Sequence, residues 1–262
     1  MDFERTAIVY FSATDVTRKY VRAMGKAFDK PIDEYDFTLI ANRDPRTAPS
    51  FGPDCLVIVG VPIYGGRVPT VCLDYLYRLK GDGTPCIVVG SYGNRDFDDA
   101  VVELEDIMSE RGVVVIGGAA VIGRHSFSDE IAGHRPTRED LDAAAEFARK
   151  AASKDKVPLE KGVIPGNRPY KEKGNNPNTM LPSTLDTCIN CKMCAKKCPN
   201  GVISMDDPKT FVKDASYCLR CNSCVVRCPV KAKYFDGEMW QKMVAGAIRR
   251  FGKPDKENRY FF

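Results

Sequence analysis

The sequence predicts two units: a doubly wound α/β domain with a parallel sheet over residues 1–152, and a small cysteine-built domain over residues 183–236. Two observations carry this. The first part alternates short apolar runs with stretches of helical periodicity, joined by short connections. That pattern lays helices on both faces of a parallel sheet. The second part holds eight of the eleven cysteines, in two runs of identical spacing.

Five strands and their helices follow in order. Thr6–Phe11 is a continuous apolar run, as in a strand buried on both faces. Residues 15–28 place Val16, Tyr20, Val21, Met24 and Phe28 near helical spacing. Ile32–Phe37 alternates polar and apolar, which suits an edge strand. Cys55–Gly60 is the next buried strand, Val68–Leu79 a helix, Cys86–Gly90 a strand and Asp98–Arg111 a helix. Val113–Ala120 is the last strand, and Arg138–Ala152 the closing helix.

The cysteine runs read Cys188-x2-Cys191-x2-Cys194-x3-Cys198-Pro199 and Cys218-x2-Cys221-x2-Cys224-x3-Cys228-Pro229. Two-residue spacers let three thiolates of one turning loop face a single iron cube, while the fourth leaves on a short helix and reaches the other cube. The spacing therefore predicts two [4Fe–4S] clusters, one on Cys188, Cys191, Cys194 and Cys228, the second on Cys218, Cys221, Cys224 and Cys198. Zinc sites come as separated pairs, and disulfides need an oxidising compartment. The repeat extends to Ala195/Val225 and Lys197/Arg227, as in a pseudo-twofold pair of halves.

Composition narrows the rest. The 44% hydrophobic and 28% charged residues are those of a globular protein, and the net charge of +4 is too mild to argue for nucleic acid. Residues 183–236 carry nine Lys/Arg against five Asp/Glu, which offsets anionic clusters. No basic run precedes an apolar stretch at Met1–Arg5, and no apolar run reaches the ~18 residues a span needs. The expected setting is cytoplasmic, reducing and anaerobic. Cys55, Cys72 and Cys86 fall in apolar stretches and read as small buried hydrophobes, with a reactive thiol as the lesser alternative.

In such sheets ligands bind at the carboxyl ends of the strands. The first strand is followed by Ser12-Ala-Thr-Asp-Val-Thr17, a hydroxyl-rich loop opening a helix and so a candidate anion site. The third is followed by Val61-Pro-Ile-Tyr64-Gly65-Gly66-Arg67-Val-Pro69, the fourth by Ser91-Tyr92-Gly93-Asn94-Arg95-Asp96, and the fifth by Arg124-His125-Ser126. One phosphate loop and two aromatic/glycine loops suit a flat ring with a phosphate tail.

These segments resemble the flavodoxin family. Together with Tyr92–Ala100, His125-Ser-Phe, Pro165-Gly-Asn-Arg-Pro-Tyr170 and the double cysteine run, nearly the whole chain resembles the flavodoxin–ferredoxin fusion proteins of the EFR family. The resemblance implies a flavodoxin-like five-stranded sheet in the order 2-1-3-4-5, a small α+β 2[4Fe–4S] ferredoxin domain, and noncovalent FMN. By position, Ser12, Thr14 and Thr17 would hold the phosphate, and Tyr64, Gly65, Gly66, Tyr92, Gly93 and Asn94 would line the ring. One departure stands out. Where the family loop carries glycine, this chain has Asp15. A carboxylate about 4 Å from a phosphate costs roughly 1 to 4 kcal/mol at effective dielectrics of 80 to 20. Alternatively Asp15 caps the helix and points away, with Arg18 and Lys19 offsetting its charge.

His125 is a candidate proton donor to a ring or substrate; the plainer reading is packing or hydrogen bonding at the domain junction. Residues 153–182 read as an extended strap, and 237–262 as a helix and an aromatic tail that packs on the protein or on a second copy in a homodimer. Three functional readings follow. The first is an electron relay between redox partner proteins. The second is an FMN-dependent iron–sulfur oxidoreductase. The third is a docking module whose first domain has lost its flavin. No Gly-x-Gly-x-x-Gly follows a strand, which disfavours direct nicotinamide oxidation.

Overall fold

The computed structural model describes residues 1–154, 156–173 and 178–262; residues 155 and 174–177, within the expected strap, lie outside the described residues. The elements run β1 (Arg5–Tyr10), α1 (Val16–Gly25), β2 (Ile32–Asp36), β3 (Ser50–Phe51), β4 (Cys55–Pro62), α2 (Thr70–Leu76), β5 (Lys80–Gly81), β6 (Thr84–Tyr92), α3 (Ala100–Ser109), β7 (Val113–Ile122) and α4 (Arg138–Ser153). Then follow β8 (Ser183–Thr184), α5 (Met193–Lys196), α6 (Ser223–Val226), β9 (Lys233–Tyr234), α7 (Glu238–Phe251) and β10 (Arg259–Phe261).

The main sheet has the order β10-β7-β6-β4-β1-β2. Its five strands from the first part are parallel, and β10 joins antiparallel, with Tyr260 opposite Ala119. The fold is flavodoxin-like, with one strand more than the five the sequence predicts. The extra strand comes from the far end of the chain.

The apolar runs explain the layering. Alternate side chains of a strand face opposite ways. In β1, Ala7 and Val9 therefore join the core under α2 and α3, while Ile8 and Tyr10 join the core under α1 and α4. Cys55, Cys72 and Cys86 are fully buried in the α2/α3 core. Burial pushes the Cys55 thiol up to about 11 and raises Cys72 and Cys86 further, so all three stay protonated packing groups.

The chain after α4 is strapped over α3. Leu159 N–H donates to Val115 O at 2.9 Å, and Ile164 is buried against the sheet. Asp99, at the start of α3, accepts from the backbone N–H groups of Asn167 at 2.8 Å and Lys171 at 2.7 Å. Arg168 pairs with Glu105 and Asp106. Among the described residues, no helix is long and apolar enough to cross a membrane.

Candidate functional site

The two cysteine loops are built alike, thirty residues apart. Asn190 and Arg220 have φ of 55° and 48°, Lys192 and Asn222 60° and 57°, and Gly201 and Lys231 59° and 52°. A short helix follows each, α5 and α6. The last sulfur of each run accepts a backbone N–H four residues on: Val202 to Cys198 Sγ at 3.3 Å and Ala232 to Cys228 Sγ at 3.1 Å. Left-handed residues between right-handed ones turn successive N–H groups inward, which makes an anion-binding concavity of the kind found at iron–sulfur sites.

Cys198 leaves its own run. It lines one cavity together with Cys218, Cys221 and Cys224, closed by Val202, Ile203, Leu219 and Phe235. Among the described residues, no three His, Cys, Asp or Glu side chains converge on a single metal ion. Sulfurs around one apolar cavity suit a cluster. Burial pushes the Cys221 thiol up to about 12 and raises Cys194, Cys218 and Cys224. Thiolates there need a compensating cation, which iron supplies.

A second site lies where the sheet's carboxyl ends face this loop. Ser12, Thr14, Thr17, Ser91, Arg124 and Cys221 line its small end. A larger space of about 370 Å³ opens beyond it, between Tyr64, Gly65, Gly66, Tyr92 and Gly93 on one side and Leu219, Arg220, Met243 and Phe251 on the other. Tyr64 and Arg67 exchange backbone hydrogen bonds at 3.2 Å across Gly65 and Gly66, whose φ are 62° and 81°. Two consecutive positive φ values need glycine. A Cβ on Gly93 would lie 2.7 Å from His125 Cα, so only glycine lets the two loops meet.

Residues 187–232 match the family model for a 4Fe-4S dicluster domain. A stretch of 70 residues, 26% of the chain, is 39% identical to 79% of the pyruvate synthase subunit PorD of Methanocaldococcus jannaschii. The chain belongs to the 4Fe-4S dicluster family. Its dicluster part holds two [4Fe–4S] clusters. Solved structures similar to the first part include a flavodoxin from the domain Archaea (15% identity, 57% of this chain and 96% of that one, TM-score 0.39) and flavodoxin 2 of Bacillus cereus (20%, 57% and 98%, 0.43).

The dicluster part is seated on the flavodoxin-like part by named contacts. Ile40 N–H donates to Pro199 O at 2.9 Å, and Arg43 donates to Pro199 O and Asn200 Oδ1. Asn222 Nδ2 donates to Ser126 O at 2.5 Å. Trp240 stacks on Phe235 at 4.6 Å and meets Phe127 edge-on at 4.9 Å, which fixes the start of α7. Leu219 and Cys221 pack directly into the core under α2 and α3.

Side chains of these loops also have partners outside the cavities. Asn94 does not line the ring cavity. It is 2% exposed, donates to Phe251 O and Pro254 O, and accepts from Lys256 N–H, so it grips the segment after α7. Arg67 turns away to a bidentate pair with Glu103 at 2.8 Å. Asp15 stands at the N-cap of α1 with φ 67° but makes no cap hydrogen bond. Its carboxylate leaves the phosphate loop for Arg18 at 3.1 Å and for Arg227, across the domain boundary, at 2.7 Å. Ser12 Oγ accepts from Arg18 N–H, and Thr17 Oγ1 shares a hydrogen bond with Ser91 Oγ at 2.7 Å.

His125 sits partly buried at the domain junction. Burial lowers its pKa to about 4, and its Nδ1 accepts from Phe127 N–H at 3.0 Å. The ring is therefore neutral at pH 7 and carries its hydrogen on Nε2. It works as a junction residue against Phe127. Two further groups line the site. Arg124 is the cation lining the small cavity, and its Nε is paired with the Asp129 carboxylate. Helix α7 walls the large cavity through Met243, Ala247 and Arg250. Arg124 belongs to the loop that follows the fifth strand, as the sequence places it, whereas α7 gives no local sign of where it docks.

Proposed function

We propose that the protein passes electrons between redox partners by way of its two clusters and an FMN held at the carboxyl ends of the sheet. The observation that carries this reading is Cys221. It lines the cavity shared by Cys198, Cys218 and Cys224, and it also lines the cavity of Ser12, Thr14 and Thr17. One thiolate wall thus belongs to both sites.

In this reading Cys188, Cys191, Cys194 and Cys228 hold the first cluster, and Cys198, Cys218, Cys221 and Cys224 the second. The residues fit the flavin as well. A phosphate tail suits the small cavity, which is lined by Ser12, Thr14, the start of α1 and the cationic side chain of Arg124. A planar ring suits the larger space between the Tyr64 and Tyr92 loops. Bound FMN would supply one- and two-electron chemistry beside clusters that exchange single electrons. The protein's own part is to position and to enclose. Leu219 and Arg220 close the ring cavity from the cluster side, and Met243, Ala247 and Phe251 close it from α7. Asp15 does not oppose the phosphate, because Arg18 and Arg227 engage its carboxylate. The neutral His125 offers a hydrogen bond and no acidic proton.

The domain limits that fit this division are 1–152, 153–182, 183–236 and 237–262, with the last segment serving the first domain through β10. Anaerobic purification with iron, sulfide and flavin assays tests the reading. Eight irons and one FMN per chain, with tight rebinding of FMN after extraction, is the expected result. Eight irons with no uptake of added FMN would overturn the flavin half.

A further inference from the structure

We infer that the Asp15–Arg227 ion pair is a latch through which flavin binding at the 12–17 loop and seating of the dicluster domain reinforce each other. The inference rests on the flavin reading above and adds a coupling to it.

The pair joins two elements 212 positions apart in the chain, at 2.7 Å. Asp15 is the residue from which α1 starts. Arg227 follows α6 and directly precedes Cys228, the last cysteine of the second run. Both side chains are about a quarter exposed, at 24% and 23%. Arg227 also donates to Ala13 O at 3.4 Å, so it touches the loop twice. The same cysteine run touches the loop's cavity from the inside through Cys221. The loop is therefore held between two points of one rigid, cysteine-built segment.

The conformation of Asp15 supports a purpose for this contact. A left-handed φ of 67° is a backbone conformation that a residue with a Cβ adopts less readily than glycine. Glycine would also approach a phosphate more closely. Asp15 is retained in the strained conformation with its carboxylate turned out of the cavity and onto two arginines. Seating the dicluster domain adds a second cation to that carboxylate; unseating it leaves Arg18 alone to offset the charge beside the loop that is to take a phosphate. A ligand that favours the seated state must in turn be favoured by it, because coupling between two sites is reciprocal. The latch thereby favours flavin uptake when the clusters are in place to exchange electrons with it.

The test is a double-mutant cycle on the full chain, loaded with both clusters, using Arg227→Gln, Asp15→Asn and the double variant. FMN affinity is read by quenching of flavin fluorescence, and amide exchange is read over residues 12–17 and 221–228. In the parent chain, added FMN should slow exchange over 221–228. Arg227→Gln should weaken FMN binding about fivefold or more, as expected for a modest coupling between sites. It should also abolish the transfer of protection. The double variant should bind FMN no worse than the weaker single one, because the interaction between the two side chains is already lost in either single variant. Arg227→Lys, which keeps the charge, should recover part of the effect and guards against loss of cluster loading. Additive single effects, or Arg227→Gln with parental FMN affinity and parental exchange, would overturn the latch. If the parent chain takes up no FMN, the flavin reading fails by itself. The pair must then still slow exchange over 12–17 relative to Arg227→Gln, and equal rates would end the latch too.

Discussion

Asn94 gives the most direct perturbation of the cover over the ring cavity. Its Nδ2 donates to Phe251 O at 2.7 Å and Pro254 O at 3.1 Å, and its Oδ1 accepts from Lys256 N–H at 2.7 Å. Phe251 is the last residue of α7, and Pro254 and Lys256 belong to the link between α7 and β10. Asn94 itself has φ 60°, so glycine is the replacement that removes the side chain without adding backbone strain. Three hydrogen bonds at a net ~1 kcal/mol each come to about 3 kcal/mol, less a few tenths for the relieved φ. The loss falls on docking of the tail, since the sheet core is untouched. At 1.4 kcal/mol per decade, opening of the 252–258 segment becomes about a hundredfold more frequent. Native-state hydrogen exchange at the Lys256 amide measures this, and flavin affinity should fall with it, because Met243, Ala247 and Phe251 wall the cavity. An unchanged Lys256 exchange rate in Asn94→Gly would refute the reasoning.

Two further outcomes follow. Cys198→Ser should remove the second cluster while leaving the first, so iron falls to about half and the remaining cluster signal stays intact; loss of the first cluster alone would reverse the crossed assignment. His125 has a pKa near 4 in the fold against about 6.5 unfolded, so the unfolded chain takes the proton first. Its contribution to stability is complete above pH 6.5 and drains away from there down to pH 4. His125→Gln, which keeps an acceptor for Phe127 N–H, should flatten the melting temperature over that window relative to the parent, and an unaltered pH profile would count against a buried neutral imidazole.

The parts legible in the sequence were those written locally. Apolar runs such as Thr6–Phe11 and Cys55–Gly60 announce strands because both faces of β1 and β4 are covered. The cysteine spacing announces the loops because the ligand geometry lies within eleven residues. Gly65 and Gly66 likewise sit where the turn demands them. What stayed hidden depends on partners far along the chain. β10 is three residues long and takes its strand character from pairing with β7. Asn94 has the position of a ring-lining residue, but its side chain answers to Phe251, Pro254 and Lys256. The charge of Asp15 looked adverse beside a phosphate because Arg227 cannot be seen from the 12–17 loop. The neutrality of His125 follows from burial under the junction, which no local pattern reports.

The central claim is that one thiolate wall joins the cluster cavity to the flavin cavity. Anaerobic stopped-flow on the FMN-loaded protein tests it most directly. The clusters are reduced with a substoichiometric one-electron donor, and the flavin absorbance is then followed over a range of protein concentrations. The account predicts first-order reduction of the flavin at a rate independent of protein concentration and of the donor used. A rate proportional to protein concentration, or flavin reduction only by direct encounter with the donor, would contradict it.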